Sequence, residues 1–251
     1  MEKPSVSNYI RVISLDRTPE RFENFSEKNS NLLVQRFPAY EGSRISRASL
    51  IERGIIDANL KYTNGALGCA ISHVSLWHEC VNRNEILHIA EDDAIIRDDF
   101  HEIFQKAQEE QEDWDIFLWG YNINWPIGIK IGLDKNFYIK AQKDSYQPEQ
   151  YKTFQSTREK IFFLPISSVA GLGFYTISPK GADKMLRRSL PLRGILAPYA
   201  EDENISWDNT GIDVELSRHY GALNAFISFP PTAIMINDET NSTIRGTKSL
   251  D

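Results

Sequence analysis

Glu91-Asp92-Asp93 is the stretch of this sequence best suited to chemistry. Three consecutive carboxylates follow the apolar run Ile86 to Ala90. They repel one another, so the arrangement costs stability unless a cation or hydrogen-bond donors sit among them. Carboxylate oxygens suit hard cations such as Mn²⁺ or Mg²⁺, which commonly bind one or two carboxylates together with substrate phosphates. The competing role is structural: one aspartate caps a turn and the others are solvated. Asp208 and Asp213 form a second candidate pair flanking a turn, with Asp213 in the first turn of a helix opened by Gly211-Ile212. There the macrodipole favours the ionised form, and an ionised, oriented carboxylate can take a proton from a hydroxyl group. Plain helix-end stabilisation accounts for the same spacing. Trp119, Tyr121 and Trp125 follow a strand end; such residues either stack on a sugar or base or pack in the core.

Other chemistries find little support. His73 and His78 are five residues apart, which turns them away from each other on a helix. With no His-Glu-x-x-His and no Cys-x-x-Cys, zinc is not expected. There is no phosphate-binding Gly-x-x-x-x-Gly-Lys-Ser/Thr loop and no Gly-x-Ser-x-Gly elbow. Gly171-Leu172-Gly173 lacks the third glycine and the strand-to-helix setting of a dinucleotide fingerprint. ATPase, dehydrogenase and serine-hydrolase readings are therefore weak.

The elements that must position these residues alternate between strand and helix. Tyr9 to Leu15 reads as a first strand, ending at Asp16-Arg17-Thr18-Pro19, where Thr18 can cap a helix and Pro19 suits its first turn. Leu32 to Phe37 reads as a second strand. From Gly65 the apolar residues Leu67, Ile71, Val74 and Val81 follow helical periodicity. Ile86 to Ala90 is a buried-strand run, and Asp98 and Asp99 can cap the next helix, which buries Phe100, Ile103, Phe104 and Ala107. Asp115 to Trp119 and Val169 to Ile177 read as strands, Ser178-Pro179 opens a helix, and Leu223 to Phe229 is the last strand. Residues 120–160 are polar, aromatic and poorly periodic, a long insertion with local hairpins. Strands alternating with helices predict an α/β sandwich about a mostly parallel sheet. In such sheets ligands bind outside the carboxyl ends of the strands, which is where Glu91-Asp92-Asp93 falls.

The chain has 251 residues, enough for one sizeable core, and 28 Lys+Arg against 35 Asp+Glu leave a net charge of −7. An acidic chain has no Coulombic surplus for nucleic acid. No apolar leader opens the sequence and no run of about 20 apolar residues occurs, so a cytoplasmic protein is expected. Cys69 and Cys80 lie on one predicted helix, about 16 Å apart at helical rise. A disulfide needs Cα atoms within ~7 Å, so both thiols are expected to be reduced.

Taken in order, the motifs resemble glycosyltransferase family 25, the bacterial lipooligosaccharide galactosyltransferases and their collagen-modifying relatives. Ile13-Ser14-Leu15-Asp16-Arg17-Thr18-Pro19-Glu20-Arg21 is similar to the family's first strand and Arg-containing helix. The segment from Gly65 to His73 resembles its Gly-Cys-x-x-Ser-His region, and His88 to Ala94 its Glu-Asp-Asp motif. Gly173 to Ala182, Gly211-Ile212-Asp213, Pro230-Pro231 and Ser242-Thr243-Ile244 resemble its later pieces. Residues 120–160 match nothing in it. The resemblance implies one domain over residues 1–251 with a GT-A-like, nucleotide-sugar-binding fold. It also implies a UDP-sugar donor, a divalent metal (Mn²⁺ or Mg²⁺) and inversion at the anomeric carbon.

Carried onto this chain, the resemblance makes Asp93 the first metal ligand, with Glu91 or Asp92 sharing the metal or holding the donor ribose. Asp213 becomes the base, with Asp208 its alternative. Ser14, Arg17 and Arg21 would meet the uridine diphosphate, while Ser72 and His73 shape the site; a buried histidine satisfied by a backbone carbonyl is the other role for His73. Outside the resemblance, the aromatic, aperiodic insertion is expected to face the acceptor, with Trp125 in contact with it. The expected activity is transfer of galactose, less so glucose, to a saccharide acceptor in lipooligosaccharide or lipopolysaccharide synthesis. A lipid-linked acceptor would need only peripheral contact at the cytoplasmic face of the inner membrane. Two rivals use the same residue types: a metal-independent glycoside hydrolase, and a sugar-nucleotide or glycan-binding module without turnover.

Overall fold

A computed structural model describes residues 3–141, 147–199 and 202–236. Chain order runs β1 (Ser5–Ser14), α1 (Pro19–Lys28), β2 (Val34–Pro38), α2 (Arg47–Glu52), α3 (Asn64–Arg83), β3 (Glu85–Glu91) and β4 (Ala94–Ile96). It continues through α4 (Phe100–Glu110), β5 (Ile116–Gly120), β6 (Ile127–Gly132), β7 (Lys135–Ile139), α5 (Tyr151–Ser156), β8 (Phe162–Ser168) and β9 (Phe174–Ile177). The remainder is α6 (Pro179–Ser189), β10 (Leu196–Tyr199), β11 (Asp202–Asp208), α7 (Ile212–Ser217), β12 (Ala225–Phe229) and β13 (Ala233–Met235). Ser242-Thr243-Ile244 lies outside the described residues.

Nine strands form one sheet in the order β2-β1-β3-β9-β5-β12-β8-β6-β7. The pairings β1/β2, β1/β3 and β5/β12 are parallel, and the other five are antiparallel. Following these directions along the sheet, β1, β2, β3, β5, β6 and β12 point one way, and β7, β8 and β9 the other. The expected α/β/α sandwich is present, with β9 wedged antiparallel between β3 and β5.

Strand β3 shows how the layers form. Successive side chains point to opposite faces, so Leu87 and Ile89 join the cluster containing Leu67, Ile71 and Trp77 of α3, Met185 of α6 and Leu216 of α7. Ile86 and Ala90 join the cluster containing Phe25 of α1 and Phe100, Ile103 and Phe104 of α4. Helix α3 starts where the Thr63 side chain accepts from the Ala66 N–H, and it ends at Asn84 in the left-handed conformation. Helix α6 starts the same way, with Ser178 accepting from Gly181. At α1 and α4 the expected side-chain caps do not form. The Asp99 carboxylate instead accepts from buried Arg97, at 2.7 and 3.0 Å, because a buried guanidinium needs a counter-charge more than the helix needs a cap.

Two sequence expectations change. The run from Val169 to Ile177 is a strand only from Phe174; residues 169–173 are irregular, with Gly171 at a φ of +84°. A further strand, β13, follows β12 and pairs with β4. Trp119 and Tyr121 are core: Trp119 stacks on Phe117 and donates to Thr176, and Tyr121 donates to the Ser228 carbonyl. Within 120–160, β6 and β7 form a hairpin that extends the sheet at its edge. Among the described residues no helix is long and apolar enough to cross a membrane.

Candidate active site

Strand β3 delivers Glu91 to its carboxyl end, and the backbone pins the triplet there. The Glu91 N–H donates to the Gly173 carbonyl at 2.9 Å, and the Asp93 carbonyl accepts from Ile236 at 3.0 Å. The three side chains then part company. Asp92 turns toward α1, where Arg21 Nε donates to its Oδ1 at 2.8 Å. Glu91 turns toward α3, with His73 Nε2 at 3.5 Å and Cys69 Sγ at 3.8 Å from Oε1. Asp93 lines a cleft of about 190 Å³ together with Glu91, Cys69, Asn122, Gly171 and Asp213. Its Oδ1 is buried and has no hydrogen-bond partner.

These settings divide the carboxylates electrostatically. Burial, reinforced by the charge of Glu91, pushes the Asp93 carboxyl up to about 7, against the pull of Arg21. Burial acts on Glu91 in the same sense, but its contacts with His73 and Cys69 and the charge of Arg21 outweigh it and hold Glu91 low. An orphaned buried carboxylate oxygen beside a second carboxylate is a donor set suited to a hard divalent cation.

Asp213 reaches the same cleft from the first turn of α7, where its Oδ2 accepts from the Gly171 N–H at 3.2 Å. Burial raises its carboxyl above the usual range despite the N–H groups of Gly171 and Val214. The macrodipole expectation is thereby reversed, since a helix of one and a half turns offers less than burial removes. Helix α7 is itself anchored by buried Glu215, which accepts from Asn209, Arg218 and His219 at 2.6, 2.8 and 2.9 Å. Asp208, at the end of β11, is exposed and does not line the cleft.

The remaining candidates scatter around this centre. Ser14 is buried at the end of β1, its Oγ without a hydrogen-bond partner. Arg17 pairs with Glu41 at 3.1 Å. Ser72 donates to the Gly68 carbonyl and accepts from the Tyr40 N–H, tying the segment after β2 to α3. His73 is fully buried, with Tyr175 Oη 2.9 Å from Nδ1; a side-chain hydroxyl fills the role expected of a backbone carbonyl. Trp125 is 39% exposed and lies outside the cleft lining.

Sequence reading missed Cys69, Asn122, Gly171 and Tyr175. Cys69 and His73 are at i, i+4 on α3, a spacing that puts both on one face and was open to recognition. Gly171 does not belong to a dinucleotide fingerprint, but its positive φ and its close approach to Asn122 form the wall beside Asp213. Tyr175 and Asn122 carried no local signal.

The model of glycosyltransferase family 25, described as "LPS biosynthesis protein", matches residues 7–204. A "Glycosyltransferase 25 family member" from Aedes aegypti is 31% identical over 171 residues, covering 53% of this chain. The match takes in only 27% of that relative's own length. Among solved structures, a Bacillus anthracis protein described as a glucose-1-phosphate thymidylyltransferase, in complex with sucrose, overlaps 84% of this chain and 75% of its own. Its TM-score is 0.31 at 10% identity, too remote to inform fold or substrate. The family match spans most of the chain and includes β3, its acidic triplet and α3, so the chain belongs to glycosyltransferase family 25.

Proposed function

We propose that the protein transfers a hexose, galactose in preference to glucose, from a UDP-sugar to a saccharide acceptor with inversion at the anomeric carbon. One observation carries the reading: two carboxyl groups from separate elements, Asp93 and Asp213, line one cleft at the carboxyl end of β3. A single displacement requires a group that takes the acceptor proton and a site for the leaving diphosphate.

Asp213 is the base. A carboxyl raised by burial holds a proton better at neutral pH than an ordinary aspartate. The acceptor oxygen forms its bond to C1 as the bond from C1 to the diphosphate oxygen breaks, and the acceptor proton passes to Asp213. Mn²⁺ or Mg²⁺, held by Asp93 with Glu91, would neutralise charge on the departing diphosphate. The orphaned Asp93 Oδ1 and its raised pKa fit such an ion. Arg21 holds Asp92 aside so that the other two carboxylates face the cleft, and Arg17 and Ser14 meet the uridine diphosphate. Trp125 and the 120–160 region meet the acceptor. The family's printed description supports a lipopolysaccharide-type acceptor, which a peripheral contact at the cytoplasmic face of the inner membrane would be enough to reach.

Two variants separate the roles. Asp93→Asn abolishes the Mn²⁺-dependent tightening of UDP binding, and transfer falls with it. Asp213→Asn keeps metal-assisted UDP binding while transfer drops by ~10²-fold or more. Transfer by Asp213→Asn at near wild-type rate would move the base elsewhere, with Asp208 next to be examined.

A further inference from the structure

Helix α3 places Cys69 and His73 on one face at i, i+4, and β3 brings Glu91 opposite them. Cys69 Sγ, a His73 ring nitrogen and a Glu91 carboxylate oxygen all lie within 4.8 Å of one another. Among the described residues this is the one group of three such side chains so closely set.

The histidine contact in the trio is long for a hydrogen bond. His73 Nε2 to Glu91 Oε1 is 3.5 Å, whereas N–H···O bonds cluster at about 2.7–3.2 Å. Cys69 Sγ to the same oxygen is 3.8 Å. The histidine–carboxylate distance matches the edge of a coordination tetrahedron, since zinc bonds of ~2.0 Å to nitrogen or oxygen and ~2.3 Å to sulfur subtend roughly 3.3–3.5 Å at the tetrahedral angle, and the thiol lies a few tenths of an ångström beyond that edge. The outer support is also in place. Tyr175 Oη lies 2.9 Å from His73 Nδ1 and accepts from Trp77 Nε1 at 2.9 Å. A ligating histidine characteristically donates its second ring N–H to such an acceptor, and a tyrosine hydroxyl has two acceptor lone pairs.

We propose that Cys69, His73 and Glu91 form a thiophilic metal site of the Zn²⁺ class, with its open position toward the cleft. His73 ligates through Nε2 and donates from Nδ1 to Tyr175, while Cys69 binds as the thiolate and releases its proton to solvent. Sulfur, imidazole and a single carboxylate select zinc over the harder Mn²⁺ and Mg²⁺. Glu91 belongs to both donor sets, so zinc here withdraws it from the hard-cation site and opposes Mn²⁺-supported transfer.

Cobalt(II), a spectroscopic stand-in for zinc, tests this on the reduced, metal-free chain without donor or acceptor. The outcome is therefore independent of glycosyl transfer. One equivalent of Co²⁺ should give a thiolate-to-cobalt charge-transfer band and tetrahedral visible bands, both displaced by Zn²⁺. Cys69→Ser should lose the charge-transfer band, and Cys80→Ser, which alters the buried thiol elsewhere on α3, should keep it. Tyr175→Phe should weaken Zn²⁺ binding about 10–100-fold. No charge-transfer band in the wild type, or one that survives Cys69→Ser, overturns the proposal. If Cys69→Ser fails to fold, loss of the band in His73→Gln with retention in Cys80→Ser supports the site, and retention in His73→Gln overturns it.

Discussion

Asp93 and Glu91 are two positions apart in the same cleft, yet one is pushed up to about 7 and the other is held low. The sequence exposes the repulsion within the triplet but not this division, which depends on His73 and Cys69 arriving from α3 and Arg21 from α1. Asp213 makes the same point, because its burial in the tertiary fold defeats a local helix-end argument. The Asp93 shift has a signed consequence for the metal-free protein. A carboxyl raised from the ordinary ~3.9 to about 7 on folding makes the folded state bind its proton more tightly. Stability is then highest below the unfolded pKa, falls as pH rises from about 4 to about 7, and levels off above that. Thermal midpoints in EDTA between pH 5 and 8 should decline across this window, and Asp93→Asn should flatten the decline. An equal slope in the variant would place the repulsion elsewhere.

At the scale of elements, helix and strand periodicity located α3, α4, α6 and the central strands to within a few residues. What the pattern could not convey is how closely they approach. A Cβ on Gly68 of α3 would lie 2.3 Å from the Tyr40 carbonyl oxygen, and one on Gly42 would lie 1.7 Å from that of Asn64. The segment after β2 thus rests directly on the helix that carries Cys69 and His73. By helix propensity alone Gly68→Ala gains ~1 kcal/mol; by the clash it loses ~1–3 kcal/mol. We expect the clash to win in urea unfolding, and a stabilised variant would contradict the packing. Residues 169–173 read as strand from sequence because Val169, Ala170 and Leu172 are apolar, although they are irregular in the fold. Trp125, exposed just before β6, tests the edge hairpin as an acceptor platform. Trp125→Ala should raise the acceptor KM more than the donor KM while leaving the thermal midpoint nearly unchanged. A large fall in the midpoint with unaltered acceptor kinetics would make Trp125 a packing residue.

For the whole molecule, alternation of strands and helices was enough to give the α/β sandwich and to place the acidic triplet at a strand's carboxyl end. It could not give the strand order, because the insertion of β9 between β3 and β5 joins segments about ninety residues apart in sequence. That insertion brings Gly173 against Glu91 and Tyr175 against His73, so the cleft is a product of the tertiary fold. The central claim is that this cleft uses a UDP-sugar with a divalent cation. Its most direct test is UDP release from UDP-galactose, UDP-glucose and UDP-N-acetylglucosamine, measured with a panel of saccharide acceptors in Mn²⁺ and again in EDTA. A site that hydrogen-bonds the C4 hydroxyl can reject its epimer strongly. The account predicts that UDP-galactose turns over fastest and that EDTA abolishes the reaction. Turnover undiminished by EDTA, or no UDP release from any of the three donors in Mn²⁺, would contradict it.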